Sequence, residues 1–348
     1  MDTIYEGKEV TVGYAPQTAF GTPIAASANF TGINVDDFDI DRDVKVFEIA
    51  GSHGDKNVAN DNIILNAQGS MSQFPINGPV SVYEIDELMY AFFHDVIHDP
   101  DTPYTKDFTP FATHPDFPSP GNEGHFLTFI KKFPGTSLSW LMSDCICKRF
   151  KILGEKNGMI NFESDWVGRG TPTTSNDASG TWTYNTNEDA YYGYKFFNDI
   201  TDAHVIMSDV GAGTTESAVT LQSFEMELNF EIEGVGQDGS GSFNSYGIHS
   251  RSGSFSMDIL KDATAELLLT NQVSNAAVEA SVRWGATGAP ATTNLELIAK
   301  GKLAGDVSVK QDGLLGLSFG ATMSVDTGEE MLEVLVANAI EKPTWPSS

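Results

Sequence analysis

Glu225-Met226-Glu227-Leu228-Asn229-Phe230-Glu231-Ile232-Glu233 alternates polar and apolar residues without a break. A strand sends successive side chains to opposite faces. This stretch therefore reads as a strand with one apolar face and one acidic face. Asp39-Ile40-Asp41-Arg42-Asp43-Val44 has the same alternation. At an offset of 184, Asp41 and Asp43 fall on Glu225 and Glu227. Carboxylates aligned on one face repel one another, so a wall of them built twice points to function rather than stability.

The offset carries further. Ile64 falls on Ile248, and Gly69-Ser70-Met71-Ser72 on Gly253-Ser254-Phe255-Ser256. After small gaps Glu87-Leu88 meets Glu266-Leu267. After a larger one Lys156-Asn157-Gly158-Met159-Ile160 meets Gln311-Asp312-Gly313-Leu314-Leu315. The shared order is an acidic strand, a glycine-rich loop, a Gly-Ser strand, a helix and a hairpin, the pattern of an internal repeat. It divides the chain into residues 1–200 and 201–348. The first unit carries a proline-rich insertion at 99–121 and a Gly/Thr/Asn-rich one at 168–200; 168–218 as a whole reads as linker plus insertion.

Coarse readings fill in the units. Residues 30–49 and 63–74 form a hairpin with a long connection. Ser81–Ile97 has the spacing of one helical face (Val82, Ile85, Leu88, Met89, Phe92, Phe93, Val96), with Ser81 and Glu84 at capping-box spacing. Strands are expected at 126–133, 139–153, 159–166, 219–233, 248–260, 295–310 and 314–325, and a second helix at 262–271. Asn157-Gly158 and Asp312-Gly313 mark tight turns. The fold class is mainly β.

The chain has 348 residues, 48 acidic and 20 basic, for a net charge of −28. The charge is spread: 28 acids against 13 bases in 1–200, and 20 against 7 in 201–348. Such a chain lacks the basic footprint needed to grip nucleic acid or an anionic membrane. No apolar run is long enough to span a bilayer. The first residues lack the pattern of a signal peptide, and two cysteines make no disulfide framework. The reading is a protein made or assembled in a reducing cytoplasm.

Candidate chemistry is thin. His94 and His98 have zincin spacing, but Asp95 stands where the catalytic glutamate belongs. They read as residues near a helix C-terminus. Asp39, Asp41 and Asp43 begin like a calcium loop, yet Val44 and Ala50 occupy the places of its glycine and final glutamate. Cys145-Ile146-Cys147 points both thiols one way, into a core. No phosphate loop, nucleophile elbow or dinucleotide fingerprint is present. No enzyme, metal or cofactor is called for.

Val12-Gly13-Tyr14-Ala15-Pro16-Gln17-Thr18-Ala19-Phe20-Gly21-Thr22-Pro23 resembles the opening of tail tube proteins of long-tailed bacteriophages. In that family an E/Q-T-x-[YF]-G-T segment lies near the N-terminus; Gln17, Thr18, Phe20, Gly21 and Thr22 fill its places. Lys131-Lys132-Phe133-Pro134-Gly135 and the Cys145–Trp166 hairpin are similar too. The resemblance implies two tandem β-sandwich domains, each with a flanking helix, assembling into a closed ring with an inner β-barrel. It implies a structural virion protein whose rings stack into a tail tube that conducts genomic DNA during ejection. Three chains would close a pseudo-sixfold ring, six being the alternative. Its partners would be itself, the tail tape measure, tail terminator and distal tail proteins, and double-stranded DNA in passing, with assembly in the host cytoplasm.

On this reading Asp39, Asp41, Asp43, Gln68, Ser70, Ser72, Glu225, Glu227, Glu231, Glu233, Ser252 and Ser254 line the lumen. Ser52, His53, Asp55, Lys56, Gln237, Asp238 and Ser240 contact the adjacent ring. The two insertions lie outside the core pattern, decorating the tube or reinforcing ring contacts. The competing reading is a two-domain carbohydrate-binding or adhesin module with a platform of Trp182, Tyr184, Tyr191, Tyr192 and Tyr194. It lacks a signal peptide and any specificity beyond aromatics. A hydrolase lacks an assembled site.

Overall fold

The computed structural model describes residues 11–38, 40, 45–48, 63–66, 71–94, 96–99, 101, 104–109, 126–133, 137–170, 172–176, 182–183, 193–209, 213–235, 245–260, 277–285, 293–303, 308–312, 314–323 and 331–339. In chain order the elements up to residue 200 are β1 (Thr11–Pro16), β2 (Phe30–Gly32), β3 (Asp37–Phe38), β4 (Lys45–Glu48), β5 (Ile63–Asn66), β6 (Met71–Pro79), α1 (Ile85–Phe93), β7 (Val96–His98), β8 (Tyr104–Phe108), β9 (Leu127–Lys132), β10 (Ser139–Glu155), β11 (Asn161–Arg169), β12 (Thr173–Ser175) and β13 (Trp182–Thr183). The rest are β14 (Asp202–Asp209), β15 (Gly213–Ala218), β16 (Leu221–Val235), β17 (Ser245–Leu260), β18 (Ala277–Trp284), β19 (Thr293–Leu303), β20 (Ser308–Asp312), β21 (Leu314–Met323) and β22 (Leu332–Asn338). The protein is mainly β, as its alternating patterns require.

The ladders have an order. Before residue 200 five strands run β2-β1-β9-β10-β12, and four run β3-β6-β11-β10. β10 serves both sets: Ser139–Cys145 lie beside β9, and Ile146–Leu153 beside β11. After residue 200 five strands run β15-β14-β18-β19-β22, and four run β16-β17-β21-β20. Two ladders cross the 200/201 boundary, β10 with β16 and β8 with β22. β4 and β5 form a separate pair. The remaining described strands make one large sheet, and no ladder closes it on itself. The closed inner barrel implied by the resemblance is thus not a property of the single chain.

Alternating apolar residues turn inward, most into one large core and Ala15, Ala26, Phe30, Ile130 and Leu141 into a separate smaller cluster. Phe129 of β9 meets Phe74 of β6 at 5.6 Å and Trp166 of β11 at 5.0 Å between ring centroids. Phe92 of α1 stacks on Phe230 of β16 at 4.7 Å and lies 5.5 Å from Phe150 of β10. Such ring pairs add about 0.5–1.5 kcal/mol each beyond area burial. Gly253 stands in β17 where a side chain would face this core. A Cβ there would come 2.6 Å from the Met323 sulfur and 3.1 Å from the Glu227 carbonyl oxygen.

Several expectations need correction. The helix is shorter than 81–97. His94 takes a left-handed φ of 56°, its N–H donates to the Tyr90 carbonyl, and β7 follows. His94 and His98 therefore do not share a helical face. The capping box does not form either: Asn34 Nδ2 donates to Glu84 Oε1 at 2.8 Å, and burial raises the Glu84 pKa. The extended run expected over 30–49 is broken into β2, β3 and β4, though its hairpin pairing with the following run is present (Asp37 opposite Asn77, Lys45 opposite Asn66). Of the expected strand 295–310, β19 and β20 are described, and 304–307 lie outside the described residues. The helix expected at 262–271 lies outside the described residues. The region 202–218, read as linker, is the hairpin β14–β15; Ala203 and Val205 alternate inward among polar neighbours that obscured the period.

The proline-rich insertion also contributes to the interior. Its strand β8 carries Lys106, whose Nζ lies 3.1 Å from Asp86 Oδ2 of α1 and 2.5 Å from Asn338 Oδ1 of β22. Asn338 Nδ2 donates to the Val82 carbonyl at 2.6 Å. All three polar residues are buried, and together they tie the helix to strands from both ends of the chain.

The segment around Lys195 is stitched in through its backbone: its N–H donates to Val80, and Ile160 N–H donates to its carbonyl. Burial lowers the Lys195 ammonium pKa from 10.5 to about 8, against the opposing pull of Asp199. Between those values the unfolded chain holds a proton that the folded chain has released. Stability should therefore rise with pH from about 8 to 10.5. Denaturation midpoints across that window should show the rise in the native chain and lose it in Lys195→Met.

Candidate functional site

The sheet's polar face is built by register. In β16, Glu225, Glu227, Asn229 and Glu231 turn away from the core that Phe224, Met226, Leu228 and Phe230 enter. Directly opposite in β17 stand Ser256, Ser254, Ser252 and Ser250. On the other side β10 presents Lys151 and Arg149, and beyond it β11 presents Glu163 and Asp165. Across these strands Glu163, Asp165, Glu225, Glu227, Glu231 and Asp258 face two cations, Arg149 and Lys151.

The cations bridge. Arg149 Nε lies 2.6 Å from Asp165 Oδ2, and its Nη1 lies 3.4 Å from Glu227 Oε2 and 3.6 Å from Glu163 Oε2. Lys151 Nζ lies 3.1 Å from Glu225 Oε2 and 3.7 Å from Glu163 Oε2. The Asp165 hydrogen bond raises the already high pKa of the Arg149 guanidinium, and burial opposes it. Neutral donors satisfy other carboxylates. Asn229 Nδ2 donates to Glu227 at 2.7 Å, Ser250 Oγ to Glu231 at 2.9 Å, and Ser223 Oγ to Asp258 at 2.9 Å. Each partly exposed ion pair contributes up to about 1 kcal/mol. The wall is acidic in sum and locally cross-linked.

Glu225, Glu227, Glu231, Ser252 and Ser254 therefore share this face. Glu233 continues it toward the hairpin tip, where its Oε1 lies 2.7 Å from His249 Nε2. Ser72 does not belong. It is fully buried and donates to the Gly170 carbonyl at 2.7 Å, while Gln73 is the exposed neighbour. The expected parity of that strand was off by one residue. Asp39, Asp41, Asp43, Gln68 and Ser70 lie outside the described residues. So do Ser52, His53, Asp55, Lys56, Gln237, Asp238 and Ser240. Among the platform aromatics, Tyr194 accepts a hydrogen bond from Asn34 Nδ2 through its hydroxyl at 3.2 Å. Trp182 sits on β13, which runs parallel to β2, and Tyr184, Tyr191 and Tyr192 are outside the described residues.

Sequence reading missed Arg149 and Lys151, although they alternate with Phe150 and Ile152 as the carboxylates do with their own apolar neighbours. It also missed the receptor of the N-terminal motif. β10 bulges between Met142 and Cys145, where Asp144 takes a φ of 54°. Gln17 Nε2 donates to Asp144 Oδ1 at 2.7 Å, and Asp144 N–H donates back to Gln17 Oε1 at 2.6 Å. Gly21 N–H donates to the same Oδ1 at 2.7 Å; its φ of 76° suits glycine. Thr128 Oγ1 donates to Gln17 Oε1 at 2.9 Å, and the Tyr246 hydroxyl donates to the Asp144 carbonyl at 2.7 Å. Phe20 packs on Phe126 and Tyr246 under the Arg169 guanidinium. Both cysteines beyond the bulge are buried, and burial raises their thiol pKa values.

The motif thus pins the N-terminal segment onto the point where β10 passes from one strand set to the other. No curated protein matches the chain. A family model described as phage tail tube protein matches residues 7–323, a span that takes in the pinned motif, the polar face and nearly every strand. The chain belongs to the phage tail tube protein family, a structural component of the virion tail.

Proposed function

We propose that the chain is a tandem duplication of one tail-tube unit, and that three chains close a ring of six units. Such rings stack into a tube whose lumen is the polar face and through which genomic double-stranded DNA passes. The observation that carries this reading is the recurrence of strand order. The orders β2-β1-β9-β10-β12 and β3-β6-β11-β10 reappear as β15-β14-β18-β19-β22 and β16-β17-β21-β20. The first unit then occupies 1–200 and the second 201–348, as the sequence offset has it.

The charge of the face supports its place. DNA phosphates bind clustered basic side chains through counterion release. Here the two cations on the face are each engaged by carboxylates on both sides. A sliding duplex meets a wall that is net negative, repelling it within a Debye length of about 8 Å, and the Lys151 ammonium and Arg149 guanidinium are held by its carboxylates. The loops 50–61 and 234–246, at the ends of the two long hairpins, contact the next ring. The tail tape measure, terminator and distal tail proteins contact the ring faces.

Native mass spectrometry of the assembled ring tests the stoichiometry. Three chains per ring are expected; six chains would overturn the duplication of ring positions within one chain.

A further inference from the structure

Beyond Glu231 the long hairpin β16–β17 changes character. Glu231 stands opposite Ser250, and the ladder resumes with Ile232 opposite Ile248, so His249 is the extra residue of a bulge. A bulge bends its strand and interrupts the ladder. Past it, Glu233 stands opposite Gly247, Gly234 opposite Tyr246 and Val235 opposite Ser245. Glu233, Gly234 and Val235 are exposed. Among the described residues beyond the bulge, Ile232, Tyr246 and Ile248 are the buried ones. Tyr246 lies nearest the tip, and Gly234 across from it offers no side chain to pack on its ring.

What covers Tyr246 comes from the first strand set and the N-terminal segment. Its ring meets Phe20 edge-on at 5.7 Å and Phe126 at 6.1 Å, and those two rings lie 5.3 Å apart. Its hydroxyl donates to the Asp144 carbonyl. The Asp144 carboxylate in turn accepts from the Gln17 side chain and from the Gly21 N–H, on either side of Phe20. Arg169 closes the seat, its guanidinium 5.1 Å from the Phe20 ring centroid and its Nη1 3.7 Å from Asp144 Oδ2. Asp144 thus presents its carbonyl to the hairpin and its carboxylate to the N-terminal segment. One residue, held at a left-handed φ of 54° in the β10 bulge, serves both contacts.

We propose that these parts form a hinge and a latch: the His249 bulge is the hinge, Tyr246 the latch, and the Gln17–Gly21 segment with Asp144 the catch that fixes the direction of the hairpin tip. The N-terminal motif is then a positioning element for a segment of the other strand set, across the 200/201 boundary. The coupling is reciprocal, so a seated tip steadies the N-terminal segment as much as the segment steadies the tip. The device is built from contacts within one chain and does not depend on how many chains form a ring.

Hydrogen exchange of the full chain, kept dilute and read by mass spectrometry, tests it. Tyr246→Phe removes one hydrogen bond and keeps the ring. Amide exchange should rise about fivefold across 232–235 and 245–248, the population shift that one net hydrogen bond supports. Phe20→Ala should raise it by about two- to tenfold, the range for loss of one ring pair. Residues 224–230, on the near side of the bulge, should keep their protection in Tyr246→Phe. The same variant should speed exchange at Gly21, whose N–H rests on Asp144. An equal rise on both sides of the bulge in Tyr246→Phe would overturn the hinge. Unchanged exchange at the tip in both variants would overturn the latch, and unchanged exchange at Gly21 in Tyr246→Phe would overturn the coupling.

Discussion

Replacing Lys106 with methionine should lower the unfolding free energy by about 3–5 kcal/mol, the usual cost of stranding one member of a buried ion pair. Its partner Asp86 has a fully buried side chain. The Asn338 amide at 3.1 Å and the Glu87 N–H at 2.9 Å also donate to Asp86, but neither supplies a compensating charge. The change also releases Asn338 Oδ1 and loosens the contact of β8 with β22. Urea midpoints measure the loss. The companion Asp86→Asn with Lys106→Met removes both charges and should recover part of it. The two single effects should then exceed the double by about 0.5–3 kcal/mol. Strict additivity would show that the charge pair is not what holds the insertion in place.

The second large effect concerns passage of DNA. Glu225→Lys with Glu227→Lys should slow DNA ejection by about tenfold or more at low salt, with recovery as salt rises, because new cations contact phosphates through a salt-dependent term. These substitutions also set lysines beside Lys151 and Arg149, so a modest loss of stability accompanies them. The control is the charge swap, adding Lys151→Glu and Arg149→Glu. It restores the net charge of the face and the bridges between β10 and β16, while giving up those from β10 to Glu163 and Asp165 of β11; ejection should return, with a further modest loss of stability. A normal ejection rate in the unswapped variant would remove this face from the lumen. Failure of the swap to rescue would mean that the particular residues, not the wall's net charge, matter.

Much of the architecture was legible because a period of two survives in any strand with one buried face. Glu225–Glu233 was read correctly to the side chain, and the Asn157-Gly158 turn fixed the β10–β11 hairpin. Failures have physical causes. Ser72 was assigned by alternation across a glycine-rich stretch, where one residue of slippage exchanges the two faces. Ala203 and Val205 are too small and too sparsely spaced to stand out from polar neighbours. Ser81 and Glu84 have the right spacing for a capping box, yet a tertiary partner, Asn34, captures the carboxylate. The staple of Asp86, Lys106 and Asn338 spans residues more than two hundred apart, so no local pattern announces it. Arg149 and Lys151 alternate with Phe150 and Ile152, but which carboxylates they meet depends on β10 lying between β11 and β16, a pairing no local pattern announces.

The proposed tube requires assembly into rings. Negative-stain electron microscopy of the purified chain, moved from low to high salt, should show hollow rings with six outer lobes that stack into tubes. Compact monomers at high concentration and high salt, with no ring or tube in any field, would contradict it.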